Sequence, residues 1–196
     1  MLSAEQIINY QAPSNCLKDR IIFITGAGDG IGKAAALACA QAGASIILAG
    51  RTVAKLEQVY DQIIDAELAE PTIYPINLEG AVADDYDALA VNLDQQFGRL
   101  DGLLHNAGIL GQRTPLSHYR QDVWDKVLQV NLTAPFQMTQ ALMPILEKSG
   151  DASVVFTSSG VGRTSRAFWG AYAVSKFAIE GMVQTWAAEL DGLGSV

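Results

Sequence analysis

The residues best suited to acid–base chemistry are a tyrosine and a lysine near the end of the chain. Tyr172 and Lys176 stand four positions apart in Tyr172-Ala173-Val174-Ser175-Lys176, and this spacing places the phenol and the ammonium group on one face of a helix. A cation beside a phenol favours the phenolate, so the pair could exchange a proton with a substrate near neutral pH. The same pattern occurs by chance in many helices, so it does not define a site by itself.

A serine upstream of this pair could hold a carbonyl or alcohol group. Ser159 lies at the carboxyl end of the predicted strand at residues 152–157, and doubly wound sheets bind ligands at the carboxyl ends of their strands. A nucleophile elbow is excluded because Thr157 stands where that motif requires its first glycine. Neither His105 nor His118 has the sequence context of a catalytic triad. Ser159 is therefore interpreted as a hydrogen-bond donor to the substrate.

A glycine-rich turn near the amino terminus could hold a phosphate group. Thr25-Gly26-Ala27-Gly28-Asp29-Gly30-Ile31-Gly32 joins a predicted strand to a predicted helix, where glycines permit a tight turn and bring a pyrophosphate to the helix N-terminus. A P-loop is excluded because Ala27 and Ala34 replace its first glycine and its magnesium-binding hydroxyl. The G-x-G-x-x-G pattern fails in register, which leaves T-G-x-x-x-G-x-G. A tight turn that binds no ligand is the alternative.

The residue after the second predicted strand indicates which dinucleotide such a turn would bind. NAD-selective sites usually present a carboxylate there to the ribose hydroxyls, whereas this chain has Gly50-Arg51-Thr52. Arg51 could pair with a 2′-phosphate, or it could be a solvated residue at the start of a helix. Asp29 favours the opposite selectivity because it adds negative charge near the same phosphate.

Strands and helices alternate along the chain, which predicts βαβ units and a parallel sheet. The predicted strands cover residues 20–25, 44–49, 72–76, 100–105 and 152–157. The predicted helices cover residues 31–41, 52–69, 82–97, 121–147 and 169–190. The fourth helix is expected to bend or break near Pro135 and Pro144. This order predicts an α/β protein with a doubly wound parallel sheet, a Rossmann fold of three α/β/α layers.

Composition and charge exclude several classes of protein. With 196 residues, of which 49% are hydrophobic and 17% charged, the chain is expected to form a globular domain. Its net charge of -8 argues against nucleic acid as a partner. Cys16 and Cys39 provide neither a disulfide framework nor a zinc site, which predicts an intracellular protein without a metal. No apolar run reaches the roughly 18 residues that span a bilayer, and residues 1–20 lack the features of a signal peptide, so we expect a soluble cytoplasmic protein with no membrane partner.

Together these motifs resemble those of the short-chain dehydrogenase/reductase family. The matches are T-G-x-x-x-G-x-G at residues 25–32, Asn106-Ala107-Gly108, Asn131, Ser159, and Tyr172 with Lys176. They occur in the family's order over residues 20–190. The sequence that flanks Asn106 and Tyr172 looks closest to a bacterial group within the family, the YciK-type oxidoreductases.

The resemblance implies an oxidoreductase that transfers a hydride between NADP(H) and a carbonyl or secondary alcohol of a small molecule. It implies that Tyr172 is the acid/base and that Ser159 orients the substrate. Lys176 would favour the phenolate and hold the nicotinamide ribose, and Asn131 would hold a water in the proton relay. Arg51 suggests NADP over NAD. The residues implied to bind the cofactor are Gly26, Gly28, Asp29, Gly30, Ile31, Gly32, Arg51, Asn77, Leu78, Asn106, Ala107, Gly108, Tyr172 and Lys176.

The sequence departs from the family pattern at three places. His105 replaces the first asparagine of the usual N-N-A-G. Asn77 stands where the family usually has an acidic residue that contacts the adenine, so adenine affinity could be weakened. Complete members also continue through a sixth strand, a P-G turn, a substrate loop and a seventh strand. We therefore expect residues 1–19 to be an N-terminal extension and residues 20–196 to be an NAD(P)-binding domain that is incomplete at its carboxyl end.

This ending leaves a second hypothesis open, namely a nucleotide-binding fragment whose truncation has impaired turnover. Epimerases and dehydratases share Y-x-x-x-K, but they usually carry a longer substrate domain. Arg113, Arg163 and Arg166 could bind an anionic substrate or could simply be solvated. The family also implies a homodimer or homotetramer paired through the helices at residues 121–147 and 169–190. The apolar residues predicted for that surface, or alternatively for packing on the chain's own sheet, are Met138, Leu142, Met143, Met182, Val183 and Trp186.

Overall fold

The structure is a computed structural model that describes residue 10 and residues 12–193, with side chains as far as residue 190. Its strands are β1 (Ile21–Thr25), β2 (Ser45–Gly50), β3 (Thr72–Pro75), β4 (Gly102–His105) and β5 (Ser153–Phe156). All neighbouring strands pair in parallel, and the order across the sheet is β3-β2-β1-β4-β5. The ends of the predicted strands differ from these bounds by at most two residues, which is the ordinary uncertainty of strand ends.

Helices connect the strands and cover both faces of the sheet. They are α1 (Gly30–Gln41), α2 (Val53–Asp65), α3 (Ala83–Phe97), α4 (Gln121–Leu128), α5 (Ala134–Glu147) and α6 (Gly170–Leu193). One buried cluster joins α1 and α2 to the first face, and another joins α3 and α5 to the second face. The predicted doubly wound parallel sheet in three α/β/α layers is confirmed.

The central strands bury apolar side chains on both faces of the sheet. Phe23 and Ile47 pack in the cluster with α3 and α5, whereas Ile24 and Leu48 pack in the cluster with α1 and α2. Neighbours such as Phe23 and Ile24 point to opposite faces because side chains alternate along a strand. The near-continuous apolar runs of β1 and β2 are therefore typical of parallel strands with helices on both sides.

The chain reverses its direction across the sheet between β1 and β4. From β1 the chain moves to β2 and β3 on one side, and it then returns to β4 and β5 on the other side. The loops that follow β1 and β4 consequently diverge to opposite faces and leave a crevice at the carboxyl ends of these strands. This crevice is where the fold itself places a ligand.

Helix α2 ends at Asp65, so the prediction that it continues to residue 69 is wrong. Glu67 adopts a left-handed backbone with φ of 56°. Its N–H donates to Ile64 O at 2.9 Å, and the N–H of Leu68 donates to Ile63 O at 3.2 Å. These two hydrogen bonds form a Schellman motif, which usually has glycine rather than glutamate at the left-handed position. The sequence therefore carried no clear signal for this end.

The expected break in the fourth predicted helix is a π-helical segment, Gln129–Thr133, between α4 and α5. The N–H of Ala134 donates to Gln129 O, five residues earlier. Pro135 directly follows the π-helical segment in the first turn of α5, and because it has no N–H it cannot donate to a carbonyl of that segment. Pro144 lies inside α5. An interruption near Pro135 was predicted, although not its π-helical form, whereas α5 continues through Pro144 without a break.

The amino ends of the strands are joined by one buried carboxylate, Asp101, which is 6% exposed. It accepts hydrogen bonds from the N–H of Ile21 at 2.9 Å, from Ser149 Oγ at 2.6 Å and from Arg99 Nε at 3.0 Å. Burial by itself raises the pKa of Asp101, but these hydrogen bonds outweigh burial and the pKa lies below its usual range. This carboxylate links β1 and the segment before β5 to the start of β4.

The apolar residues on the long helices divide into buried and exposed sets. Met138 and Leu142 are fully buried in the chain's own core, so the prediction that they face a partner is wrong and the alternative holds. The exposed apolar side chains of these helices are instead Phe136 on α5 and Val174 and Phe177 on α6. Met143, Met182, Val183 and Trp186 are half-buried. None of the helices in the described residues combines the length and apolar composition that would cross a membrane.

Candidate active site

A cavity of about 370 Å³ occupies the crevice at the carboxyl ends of β1 to β4. Its walls come from the glycine-rich turn after β1, the segment after β2, the segment after β3 and the loop after β4. The predicted cofactor-binding residues that line it are Gly26, Gly28, Asp29, Arg51, Asn77, Leu78, Ala107 and Gly108. Residues that are far apart in the sequence are thus brought to one cavity by the order of the strands.

The glycines of the turn are required by close packing. A Cβ on Gly26 would lie 3.0 Å from Ala107 Cα, and a Cβ on Gly28 would lie 2.8 Å from Lys55 Cβ. A Cβ on Gly32 would overlap the carbonyl oxygen of Gly26. Larger side chains would therefore push the turn away from both the loop after β4 and the first turn of α2.

Some predicted cofactor-binding residues lie beside the cavity rather than in its lining. Gly30 and Ile31 are exposed at the start of α1, and Gly32 is buried beneath the turn. Asn106 has a supporting position: its Nδ2 donates to Thr25 O at 3.4 Å and to Gly26 O at 3.5 Å. The placement of Gly30, Ile31 and Gly32 makes them part of the scaffold of the turn.

A threonine fastens the ends of β1 and β4 together. Thr25 Oγ1 accepts hydrogen bonds from the N–H of Asn106 at 3.0 Å and the N–H of Ala107 at 3.1 Å. The same hydroxyl donates to Leu104 O at 3.3 Å. Thr25 is 1% exposed, so these bonds satisfy a buried polar group. The first position of T-G-x-x-x-G-x-G thus fixes the distance between the two walls of the cavity.

The charged groups in the lining include two that sequence reasoning missed, Lys55 and Glu79. Lys55 Nζ pairs with Asp29 Oδ2 at 2.6 Å, and Glu79 Oε1 pairs with Lys126 Nζ at 2.7 Å. The hydrogen bond from Lys55, with that from the N–H of Gly30, holds the pKa of Asp29 below its usual value. Within the residues that the structure describes, Arg51 has no ion-pair partner.

Tyr172 and Lys176 lie together in the first turns of α6. Lys176 Nζ is 5.7 Å from the centre of the Tyr172 ring and donates to Thr157 O at 2.6 Å. Lys176 is 5% exposed, and this burial lowers its pKa. The Tyr172 ring is half-buried and packs against Trp169, with 5.8 Å between ring centres. A cation is therefore held beside the phenol by a backbone carbonyl at the end of β5.

Asn131 lies in the π-helical segment and is 2% exposed. Its Oδ1 accepts from the N–H of Ile109 at 2.8 Å, and its Nδ2 donates to Ile109 O at 2.9 Å and to Ser175 Oγ at 3.1 Å. The side-chain amide thus links the loop after β4 to α6. These partners could not be read from the sequence, because they come from segments 22 and 44 positions away.

Gly108 lies between the cavity and these buried groups. A Cβ at this position would lie 3.4 Å from Asn131 Oδ1 and 4.0 Å from Lys176 Nζ. Gly108 also lines the cavity. The absence of a side chain here leaves the cavity adjacent to the lysine that stands beside Tyr172.

Ser159 follows β5 and begins a 3-10 turn, Gly160–Gly162. Its Oγ accepts from the N–H of Val161 at 3.4 Å, which leaves the hydroxyl proton able to donate. This turn packs against α6, since a Cβ on Gly162 would lie 3.0 Å from the Lys176 carbonyl carbon. Among the described residues no hydrogen bond joins Ser159 to Tyr172, so the structure places the two on adjoining elements without direct contact.

His105 is a packed, neutral side chain at the end of β4. It is 4% exposed, its ring stacks on Phe156 at 4.6 Å, and burial lowers its pKa to about 3. Its Nε2 lies 2.8 Å from Thr139 Oγ1, and that hydroxyl donates to Pro135 O. Because the threonine proton is already used, Nε2 carries the proton and donates. These contacts agree with the interpretation that His105 does not belong to a triad.

The arginines considered for substrate binding lie in three different settings. Arg113 lies over the Trp169 ring at 5.1 Å, and Arg163 pairs with Glu180 at 3.5 Å. Arg166 lines a second, more apolar cavity together with Phe168 and Phe177. The three guanidinium groups therefore do not form one anion site.

The match to a family model defines the class of protein. Residues 20–194 match the family described as short chain dehydrogenase. The chain therefore belongs to the short-chain dehydrogenase/reductase family of oxidoreductases, as its motifs indicated. It is 48% identical over 182 residues to the uncharacterized oxidoreductase YciK of Escherichia coli strain K12, and the matched region covers 93% of this chain and 72% of that protein.

Solved structures of similar proteins share the fold over most of the chain. A protein from Pseudomonas syringae described as a short chain dehydrogenase has a TM-score of 0.92 at 53% identity, covering 94% of this chain and 76% of that chain. One from Shigella flexneri, complexed with NADP, has a TM-score of 0.88 at 47% identity and covers 90% of this chain and 74% of that chain. The resemblance to the family and to its YciK-type members is confirmed.

Proposed function

We propose that this chain binds NADP(H) and transfers a hydride between it and a carbonyl or secondary alcohol of a small molecule. The observation that carries the proposal is the position of Gly108, which joins the cavity that contains Arg51 to the buried Lys176 beside Tyr172. A phosphate-binding cavity and a proton-transfer pair are thus adjacent. The nicotinamide cofactor supplies the hydride when it is bound.

The cavity has the chemistry that NADP(H) requires. The glycine-rich turn brings its backbone to the start of α1, where N–H groups and the helix dipole favour a pyrophosphate. Arg51 offers a guanidinium that no carboxylate in the described residues neutralises, and a guanidinium suits a 2′-phosphate. Asn77 and Leu78, in the segment after β3, form one wall of the cavity. The NADP complex of the Shigella flexneri relative supports the same assignment.

Tyr172 transfers the proton in this proposal. The ammonium of Lys176, held by Thr157 O beside the Tyr172 ring, offsets the negative charge that develops on the phenol oxygen as its proton passes to a carbonyl oxygen. The low exposure of Lys176 strengthens this effect because little water screens the charge. Ser159 Oγ accepts the N–H of Val161, so its own proton is free to donate a hydrogen bond to the substrate oxygen.

Asn131 has a positioning role with respect to this pair. Its amide is occupied by Ile109 and Ser175, so it fixes α6 relative to the loop after β4. A water of the proton relay would therefore bind the backbone of the π-helical segment. Such segments occur frequently at functional sites.

The chain is further proposed to associate with copies of itself through α5 and α6. The exposed side chains of Phe136, Val174 and Phe177 provide apolar surface on these helices. An exposed apolar stripe beyond the one that packs on the sheet supports such an interface.

Titration calorimetry of the whole chain with NADPH and NADH tests the cofactor assignment. We expect NADPH to bind more tightly than NADH, and Arg51→Ala to weaken NADPH binding about tenfold or more, since a charged hydrogen bond is worth about 1.5–3 kcal/mol. The affinity of Arg51→Ala for NADH should change much less. Arg163→Ala, which removes an arginine paired with Glu180 outside the cavity, is the matched control. A folded chain that binds neither cofactor would contradict the proposal.

A further inference from the structure

We infer that Lys55 is a second cation for the 2′-phosphate of NADP(H), and that Asp29 competes with that phosphate for Lys55. The inference rests on the proposed binding of NADP(H) in the cavity, and it concerns what sets the selectivity there. Lys55 then increases the preference for the phosphorylated cofactor, and Asp29 decreases it.

Arg51, which directly follows β2, and Lys55, in the first turn of α2, line the same cavity. Lys55 Nζ is 2.6 Å from Asp29 Oδ2, with the lysine side chain 51% and the aspartate side chain 75% exposed. An ion pair this exposed to water contributes about 0–1 kcal/mol, because solvent screens it. Lys55 can therefore exchange Asp29 for another anion at small cost.

Lys55 is the mobile partner of this ion pair, and Asp29 is the fixed one. Asp29 Oδ1 accepts the N–H of Gly30 at 2.8 Å, and Asp29 is the N-cap of α1. The base of the Lys55 side chain is tightly packed, since a Cβ on Gly28 would lie 2.8 Å from Lys55 Cβ. The rest of the lysine is a flexible stem, so Nζ can move within the cavity while its Cβ remains in place.

The charges that line the cavity explain why a second cation is needed. The charged residues in the lining are Asp29, Arg51, Lys55 and Glu79, which together carry no net charge. Lys126, from α4, pairs with Glu79, and Lys33 on α1 adds to the attraction on Asp29. While Lys55 stays with Asp29, Arg51 is the cation of the lining that no carboxylate in the described residues pairs. A phosphomonoester carries about -1.5 to -2 charges near neutral pH, which one guanidinium does not balance.

Release of Lys55 from Asp29 would supply the missing charge only to a ligand that carries a 2′-phosphate. Asp29→Asn keeps an oxygen that accepts the N–H of Gly30, so it preserves the helix cap while it removes the competing charge. This substitution should therefore increase selectivity for the phosphorylated ligand. Lys55→Met keeps a long apolar side chain against the turn and removes only the cation.

The test is titration calorimetry of the whole chain with adenosine 2′,5′-bisphosphate and adenosine 5′-monophosphate, which differ only in the 2′-phosphate. We expect Asp29→Asn to strengthen binding of the bisphosphate about three- to tenfold and binding of the monophosphate less than about twofold. Lys55→Met should weaken the bisphosphate by a similar factor and leave the monophosphate unchanged. In the double variant, Asp29→Asn should no longer improve selectivity, because its effect acts through Lys55.

Two results would overturn the inference while leaving the NADP(H) assignment intact. One is that Lys55→Met leaves bisphosphate affinity unchanged while Arg51→Ala abolishes it, which would make Arg51 the sole phosphate ligand. The other is that Asp29→Asn strengthens binding of both ligands equally, which would mean that Asp29 repels any anionic ligand and does not compete for Lys55. Equal affinity of the unaltered chain for the two ligands would instead contradict NADP(H) selectivity itself, and this inference with it.

Discussion

The two ends of the parallel strands, called here the amino edge and the carboxyl edge of the sheet, differ in how far their charged side chains are exposed. At the amino edge, Asp101 is 6% exposed and accepts hydrogen bonds from a backbone N–H, a serine and an arginine. At the carboxyl edge, Lys55 and Asp29 pair in solvent with side chains 51% and 75% exposed. Buried polar groups are expensive to leave unpaired, whereas exposed pairs rearrange at little cost. The charge at the amino edge is therefore held in one arrangement, whereas the ion pair at the carboxyl edge can rearrange.

The carboxyl edge itself contains one buried exception. Lys176 is 5% exposed and held by Thr157 O, close to the ring of Tyr172. In the function proposed above, Gly108 lies between the cavity that would bind the cofactor and the pair that would transfer the proton.

The substitution Asp101→Asn gives the largest expected effect on stability and directly tests the contrast between the edges. It leaves a backbone N–H, Ser149 and Arg99 without their full acceptor, so we expect a loss of about 2–3 kcal/mol in the free energy of unfolding. Urea unfolding measures this loss, and NADPH affinity of the folded variant should change less than about twofold. A variant as stable as the unaltered chain, but defective in NADPH binding, would reverse the assignment of the two edges.

His105 gives an intermediate effect that depends on pH. Its pKa in the folded chain is about 3, below the roughly 6.5 of an unfolded histidine, so the unfolded state takes up the proton first as the pH falls. The stability that the neutral ring contributes is complete above about pH 6.5 and is lost as the pH falls toward 3, at about 1.4 kcal/mol per pH unit.

Urea unfolding of the unaltered chain and of His105→Asn between pH 7 and pH 5 measures this contribution. The unaltered chain should lose more stability over this range, because the asparagine has no proton to gain. Carboxylates with lowered pKa, such as Asp101, affect stability at lower pH and should cancel between the two proteins. Parallel pH profiles would contradict a neutral, buried His105.

The smallest expected effect is that of Tyr119→Phe in the loop after β4. The phenol oxygen accepts the N–H of Gln112 at 3.1 Å, and the ring packs where a Cβ on Gly170 would overlap it. The half-buried hydroxyl can be replaced by water, so its loss should cost about 0.5–1 kcal/mol in urea unfolding. Tyr119→Leu, which also removes the ring from Trp124, should cost more. A larger loss for phenylalanine than for leucine would contradict this account of the contact.

The sheet could be predicted from the sequence because its signals are local. Apolar runs such as residues 21–24 and the glycines that follow them mark a buried strand and a turn without knowledge of the rest of the chain. The end of α2 was missed for a local reason as well. Glu67 has the left-handed backbone that ends the helix, and this position is usually recognised in a sequence because it is a glycine.

The contacts of the site could not be predicted, because they depend on long-range packing. The motifs indicated Asp29 and Arg51. Only the folded chain shows that Lys55, 26 positions from Asp29, pairs with the Asp29 carboxylate. Asn131 was identified by its motif, while its partners Ile109 and Ser175 follow from the packing of three separate segments. Sequence patterns thus identified residue types at the site, and tertiary structure assigned their partners.

Turnover by the unaltered chain and by Tyr172→Phe shows whether Tyr172 transfers a proton to a carbonyl substrate. NADPH absorbance is followed while a panel of aldehydes and ketones is offered, with Tyr119→Phe as a matched loss of a phenol outside the reacting pair. We expect the unaltered chain to oxidise NADPH with at least one carbonyl compound, and Tyr172→Phe to lower kcat about 100-fold or more with NADPH affinity nearly unchanged. NADPH binding without turnover on the whole panel, or equal turnover by Tyr172→Phe, would contradict the proposed function and favour a nucleotide-binding module.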